Sequence, residues 1–362
     1  MKKQTLAAAI FLSVLNSSMA LSAAPKVEEP PFEGYLFAYF EGRGDAKQQE
    51  HLRFALSDDG VNWRALNENR PVIASDTISE SGGIRDPHIY RGPDGGFYLA
   101  MTDLHIYAQR DGYRDTEWER DGKTYGWGNN RGLVLMKSFD LIHWTRTNIR
   151  FDQMSKEFAQ IGCAWAPETV YDPVTGRMMI YFTMRFGTEQ NRLYYVYVNQ
   201  DFNRIESIPQ ILFEYPSGAS AIDGDITPIW NEERQKMEYH LFYVAHESGS
   251  GIKQAVSDRI DGGYRFDPRW IDFEPVACEA PNVWKRIGED KWVLMYDIFG
   301  INPHNFGFVE TSDFVHFKNL GRFNEGVMKT TNFRSPKHGA VIHLTQEEAD
   351  RLENYWNGKK QK

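Results

Sequence analysis

The phrase Ser-x-Asp-x-x-x-Trp, or a worn copy of it, recurs five times along this chain and leaves few folds open to it. It reads ALSDDGVNW around Ser57, MKSFDLIHW around Ser138, VNQDFNRI around Asn199, AVSDRIDGGY around Ser257 and ETSDFVHF around Ser312. The intervals between these anchors are 81, 61, 58 and 55 residues. A unit of this size cannot bury its apolar face alone and must stack on its neighbours. A period of about 50 residues with strand-like content predicts the blades of a propeller.

The elements between the anchors keep one order. GIRDPHIYRGPDGGFYLAMTD reads as two strands around a Gly-Pro-Asp-Gly-Gly turn, and GLVLMKSFDLIHW supplies a third. The order recurs from WAPETVYDPVTGRMMIYFTMR to RLYYVYVNQDFNRI and from IDGDITPIWNEERQKMEYHLFYVAHE to GIKQAVSDRIDGGY. A fourth copy runs from EAPNVWKRIGEDKWVLMYDIFG to FGFVETSDFVHF. A fifth inner strand, KHGAVIHLT, has no outer strands after it, while GYLFAYFEG and EHLRFALSDDGVNW near the N-terminus have no inner one. The two ends are therefore expected to build one blade and close the ring, protecting edges that would invite aggregation. The expected fold class is all-β, a five-bladed β-propeller over residues 32–345. Thr345 and Glu348 fit a capping box, which predicts a short helix from 346 to 356 ahead of a tail ending at 362.

The first interval is long because HIYAQRDGYRDTEWERDGKTYGWGNNR interrupts the repeat between Leu104 and Gly132. It is polar yet carries Trp118, Tyr125 and Trp127. An aromatic insertion in a connection predicts a binding-site wall, with a contact between copies of the chain as the alternative.

Residues 1–23 read as a signal peptide: Lys2 and Lys3, an apolar run from Leu6 to Leu15, then small residues from Ser18 to Ala24. A Pro-rich linker over 24–31 follows, and no later run reaches the roughly 18 apolar residues of a membrane span. The expectation is an exported protein, periplasmic or secreted, without a membrane segment after cleavage. With a net charge of −9, nucleic acid and anionic membranes are poor partners. An acidic chain with 14% aromatic residues suits a neutral polar ligand such as a carbohydrate, and nothing in it sets an oligomeric state. Export permits a bridge between Cys163 and Cys278, but buried free thiols are the expected state.

Chemistry is expected where the inner strands begin. Aligned by the repeat, those starts read Arg85-Asp86-Pro87, Ala166-Pro167-Glu168, Asp223-Gly224-Asp225, Glu279-Ala280-Pro281 and Lys337-His338-Gly339. Four of the five carry carboxylates and the fifth a histidine. Charges converging on a narrow axis repel and lose hydration, so stability alone would not place them there. Carboxylates beside exposed aromatics point to glycoside hydrolysis. One must stay protonated for the leaving oxygen while another, ionised, activates water from the opposite face. A third can hold the acid's pKa up by like-charge repulsion.

The ordered set GIRDPHIY, CAWAPETVYD, IDGDITPIW, EAPNVWK and KHGAVI resembles glycoside hydrolase family 43, five-bladed propeller enzymes acting on arabinose- and xylose-containing glycans. The resemblance implies an inverting mechanism with a base, a pKa modulator and an acid on the first, third and fourth blades. By motif these are Asp86 in RDPHI, Asp223 in IDGDI and Glu279 in EAPNVWK. It also implies Trp165 and Glu168 of WAPE as sugar binders, with Glu168 a rival acid. Asp225 is either a binder or the modulator in place of Asp223. Arg85, Trp127 and Lys337 are counted with the substrate-binding residues, although Lys337 stands where the family carries an arginine. His338 of KHG is a candidate ligand for a structural calcium or water cluster on the axis, or else a hydrogen-bonded structural histidine. No cofactor is expected to be required. Ala280 replaces the family's glycine. The implied activity is exo-acting release of a terminal sugar, foremost α-L-arabinofuranose. A β-xylosidase, an exo-galactanase or a non-catalytic carbohydrate-binding propeller are the alternatives.

Overall fold

The repeated phrase folds as a hairpin device. The Ser138 hydroxyl donates to Asp140 Oδ1 (3.0 Å) and accepts the N–H of Leu141 (2.9 Å). The same Oδ1 takes the N–H groups of Ile142 (2.9 Å) and His143 (2.8 Å). Asp59 and Asp313 each repeat this pair of backbone contacts. Such side-chain capping substitutes for backbone turn bonds and fixes a tight reversal. The last copy is anchored on Thr311, one residue before the expected Ser312: its hydroxyl pairs with Asp313 and accepts the N–H of Phe314.

The computed structural model describes residues 30–358 except 43–48, 107, 109–111, 113–117, 119 and 248. The expected signal peptide and nearly all of the linker lie outside the described residues. From Phe32 onward the strands form five antiparallel sheets. Blade 1 runs from the axis outward as Ile84–Arg91, Phe97–Asp103, Gly132–Ser138 and Thr145–Arg150. Blades 2, 3 and 4 repeat that order from Ile161–Asp172, Ala221–Asn231 and Glu279–Lys285. Blade 5 joins the two ends as expected. Innermost Pro336–Thr345 pairs with Phe32–Glu41, followed by Arg53–Ser57 and Asn62–Ala65. A two-residue strand, Lys329–Thr330, adds a parallel edge that the repeat did not foreshadow. In every blade the repeated phrase follows the third strand, where the chain turns toward the outermost one.

Period-two alternation gives each sheet two apolar faces, and each is buried against a neighbouring blade. In Gly132–Ser138, Leu133 and Leu135 pack toward blade 2, while Val134 and Met136 pack toward blade 5. Five apolar clusters result, one per blade interface. At ~1.5–3 kcal/mol for each large apolar side chain buried, these clusters hold the ring together and leave the axis free for polar residues. The helix Gln346–Asn357 caps the interface of blades 5 and 1 through Ala349 and Leu352, and its capping box is formed by Thr345 and Glu348. Cys163 and Cys278, on blade 2 and at the entry to blade 4, are both buried and free.

Candidate active site

Each innermost strand is interrupted near its start. The ladder to the second strand breaks between Arg85 and His88, Trp165 and Glu168, Ile222 and Asp225, and Glu279 and Asn282. In blade 5 the break falls at His338. One residue at each break is left-handed: Asp86 (φ 51°), Ala166 (45°), Asp223 (51°), Ala280 (57°) and His338 (30°). That conformation costs a non-glycine residue about 1–2 kcal/mol. A bulge re-aims its side chain out of the pleat. Five register-matched bulges therefore turn Asp86, Asp223 and His338 toward one end of the axis, beside the residues that precede each bulge.

These side chains meet in a cavity of about 370 Å³, at the low end of the roughly 300–1,000 Å³ typical of ligand sites. Asp86, Asp223 and Glu279, from three blades, line it together with Arg85, Lys337 and His338. Trp127 and Trp165 form one wall, edge to face with ring centres 6.1 Å apart.

The three acids differ electrostatically. Asp86 Oδ2 accepts the Thr102 hydroxyl (2.7 Å), and Oδ1 lies 3.1 Å from His338 Nδ1. Burial works to raise its pKa, but the His338 charge and hydrogen bond, with Arg85 and Thr102, hold it well below the usual range. Asp223 takes only a long contact from the Ala280 N–H (3.3 Å). Burial, opposed by His338 but reinforced by Glu279 and Asp86, raises it to about 7. Glu279 accepts the Lys337 ammonium at 2.7 Å, and that pairing outweighs burial and lowers its pKa. The proton therefore favours Asp223 over Glu279, the reverse of what an acid at Glu279 needs. Arg85 is held by Glu50 (2.5 Å), so its charge is already committed.

Glu168 and Asp225 do not line the cavity. The true register aligns Trp165-Ala166-Pro167 and Ile222-Asp223-Gly224 with Arg85-Asp86-Pro87, one residue earlier than the repeat gave for blades 2 and 3. Glu168 and Asp225 fall beyond the bulges, in the same layer as His88 and Asn282. A regular strand would put Asp223 and Asp225 on one face, but the bulge breaks that alternation. Glu168 accepts the Tyr181 hydroxyl (2.8 Å), and Asp225 accepts the Asn282 amide (2.8 Å) and the Val283 N–H (3.1 Å). Both are buried, and burial is the largest cause raising both carboxyls. They form a polar floor beneath the pocket.

The insertion contributes Ile106 and Trp127 to the cavity, next to Leu104 just before it. Trp127 is 65% exposed, whereas Trp118 is buried with its indole N–H on the Asp103 carbonyl (2.7 Å). Tyr125 is not a lining residue; it stacks under Arg120. Arg185 fastens the segment by donating to the carbonyls of Tyr125 (3.1 Å) and Trp127 (2.9 Å) beneath the Trp165 ring. Sequence reasoning missed Asn191, His246 and Phe299 at the rim, and Thr102 and Thr183 behind the acids.

A calcium ion takes roughly six to eight oxygen ligands. Among the described residues no group of three or more His, Cys, Asp or Glu is gathered to hold a metal, and His338 Nδ1 is engaged with Asp86. The residues around His338 do not fit a calcium cage. Among the described residues no helix is long and apolar enough to cross a membrane.

Residues 30–350 match the family described as a probable glycosyl hydrolase domain, related to family 43. An α-L-arabinofuranosidase of Bifidobacterium longum is 23% identical over 185 residues, 49% of this chain and 16% of that protein. A 1,2-β-oligomannan phosphorylase of Thermoanaerobacter is 29% identical over 111 residues, 31% of this chain and 30% of that protein. The chain thus spans under a third of the length of these curated relatives. A Bacteroides thetaiotaomicron endo-1,4-β-xylanase shares the fold at TM-score 0.55 and 15% identity, over 83% of this chain and 97% of that one. A Clostridium thermocellum α-L-arabinofuranosidase does so at TM-score 0.52 and 13% identity, over 79% and 89%.

Proposed function

The chain belongs to the family 43-related glycosyl hydrolases, and from that premise we propose that it is an inverting, exo-acting glycosidase that removes terminal α-L-arabinofuranose. One observation carries the reading: three acids from three blades reach one small pocket on matched left-handed bulges, with their pKa values driven apart. Asp86, held ionised by His338 and Thr102, takes a proton from the attacking water. Glu279 gives a proton to the leaving oxygen. Asp223 accepts the N–H of Ala280, the residue after Glu279, and once ionised opposes ionisation of Glu279. An inverting pair stands roughly 6.5–9.5 Å apart, leaving room for that water. The pocket's size and the Trp127–Trp165 wall support a single terminal sugar, and the arabinofuranosidase relatives support arabinose.

A panel of nitrophenyl glycosides, with the product anomer followed by NMR, tests sugar and stereochemistry together. Cleavage of the α-L-arabinofuranoside with inversion is expected. Asp86→Ala should lose about 10²–10⁴-fold in rate on the cleaved aryl glycoside, and Glu279→Ala a like amount on an alkyl glycoside of the same sugar, whose leaving oxygen needs the proton. Near-wild-type turnover in both would sink the assignment. Strong loss in Glu168→Ala beside an active Glu279→Ala would move the acid to blade 2.

A further inference from the structure

Lys337 faces two acids. Its ammonium is 2.7 Å from Glu279 and 3.4 Å from Asp297 Oδ2. Asp297, in Trp292–Ile298, pairs across the ladder with Glu279. It is 0% exposed, and apart from the Lys337 ammonium neither carboxyl oxygen has a hydrogen-bond partner among the described residues. Two of its register equivalents carry a hydroxyl, whereas blade 3 has the apolar Val244 opposite Ile222. Thr102 stands opposite Arg85 and Thr183 opposite Trp165. Their hydroxyls accept the N–H of the next blade's bulge residue, Ala166 (2.8 Å) and Asp223 (3.0 Å) respectively. Blade 4 replaces that hydroxyl with an acid whose ion-pair partner among the described residues is Lys337. A buried carboxyl without such bonds costs several kcal/mol, and a threonine would serve the backbone better. Packing does not account for it.

We propose that Asp297 is a positioning residue for the general acid, drawing the Lys337 ammonium away from Glu279 as substrate arrives and passing Glu279 a proton. The inference rests on the assignment of Glu279 as acid. Lys337 sits on Glu279, which is ionised to hold it. A glycosidic oxygen at Glu279 displaces the ammonium toward Asp297. Lys337 then gives one N–H proton to Glu279 and receives the Asp297 proton in its place. The Lys337 charge is unchanged, Asp297 becomes the carboxylate that holds it, and Glu279 becomes the acid. Burial, opposed by Lys337 and reinforced by Glu279, raises Asp297 to about 7, so a proton is available there. Besides each other, these two acids face Lys337 and His338 of blade 5; Arg85 of blade 1, Asp223 and His246 also act on Glu279, and Cys278 on Asp297.

The test compares wild type, Asp297→Asn and Glu279→Gln on 2,4-dinitrophenyl and alkyl glycosides of the sugar that the wild type cleaves. The dinitrophenolate needs no acid to leave; the alkoxide does. Asp297→Asn is expected to lose about tenfold or more in kcat on the alkyl glycoside, less than about twofold on the dinitrophenyl one, with KM unchanged. A purely structural role would lower both rates alike, and that result overturns the proposal. A flat leaving-group response in Glu279→Gln overturns the acid assignment and the proposal with it. A normal response there with a flat Asp297→Asn overturns the proposal alone. Lys337→Met supplies an independent arm, because without the ammonium Asp297 has nothing to draw away. The leaving-group effect of Asp297→Asn should vanish in that background, and additivity in the double-mutant cycle refutes the mechanism.

Discussion

Asp223→Asn is expected to trade activity for stability, with the gain in stability appearing only as pH rises. The folded carboxyl is raised from its ordinary 3.8 to about 7, first by burial and then by Glu279 and Asp86, against the pull of His338. A folded state that holds a proton more tightly than the unfolded chain loses stability as pH climbs. The contribution is whole below 3.8, declines between 3.8 and about 7, and is gone above that window. The separation is about 3.2 pH units, and at about 1.36 kcal/mol for each the full swing is ~4 kcal/mol. Asparagine keeps the shape and cannot ionise, so the variant lacks this decline. Denaturant unfolding of both proteins at pH 5, 6, 7 and 8 should show the variant's advantage growing by about 2–4 kcal/mol across the series. Lys337 lowers Glu279 in both proteins. Glycoside hydrolysis should fall in the same variant. Parallel stability curves from pH 5 to pH 8 would refute the reasoning, because Asp223 would then be ionised in the fold throughout.

Ala280 sits at φ 57°, so Ala280→Gly should relieve ~1–2 kcal/mol of left-handed strain at ~0.5–1 kcal/mol of backbone entropy. A net gain of about 0.5 kcal/mol in the unfolding free energy from denaturant titration is expected, and a loss would mean that the bulge tolerates alanine without strain. Trp127 lines the cavity yet stays 65% exposed, so Trp127→Ala should leave the thermal midpoint unchanged. Its KM should rise about tenfold, equivalent to ~1.4 kcal/mol of binding, with kcat within about twofold. A fall in kcat at constant KM would place Trp127 in the chemistry instead of the binding wall.

The ring was legible because its signals are local. Ser138 and Asp140 close their turn within a few residues, and the missing strands at one end matched the surplus at the other. The axis was harder to read, because a bulge changes which side chains share a face without changing the hydrophobic pattern. RDP, EAP and KHG fell into register because a charged residue marks each bulge or the position before it. WAPE and IDGD were read one residue late, since their charges lie on both sides of the break or only after it, and Glu168 and Asp225 were drawn into the pocket by that slip. Asp297 was visible as a lone acid in the apolar strand WVLMYDI. Its meaning depends on Lys337, 40 residues on, and only the closed ring brings the two together.

The repeat and the site place opposite demands on the same strands. Asp86, Asp223, Glu279 and Asp297 bring four carboxyls to one end of the axis, against Arg85, Lys337 and His338, and Arg85 is already committed to Glu50. Left to itself such a cluster would destabilise any single sheet that carried it. Here each acid is anchored from an adjacent blade. The Ala280 N–H meets Asp223, His338 meets Asp86, and Lys337 meets Glu279 and Asp297. Separating any two of these blades would strip a buried charge of its partner, which costs several kcal/mol. The polar axis therefore resists opening of the ring, while the five apolar interfaces supply the free energy that gathers the charges in the first place.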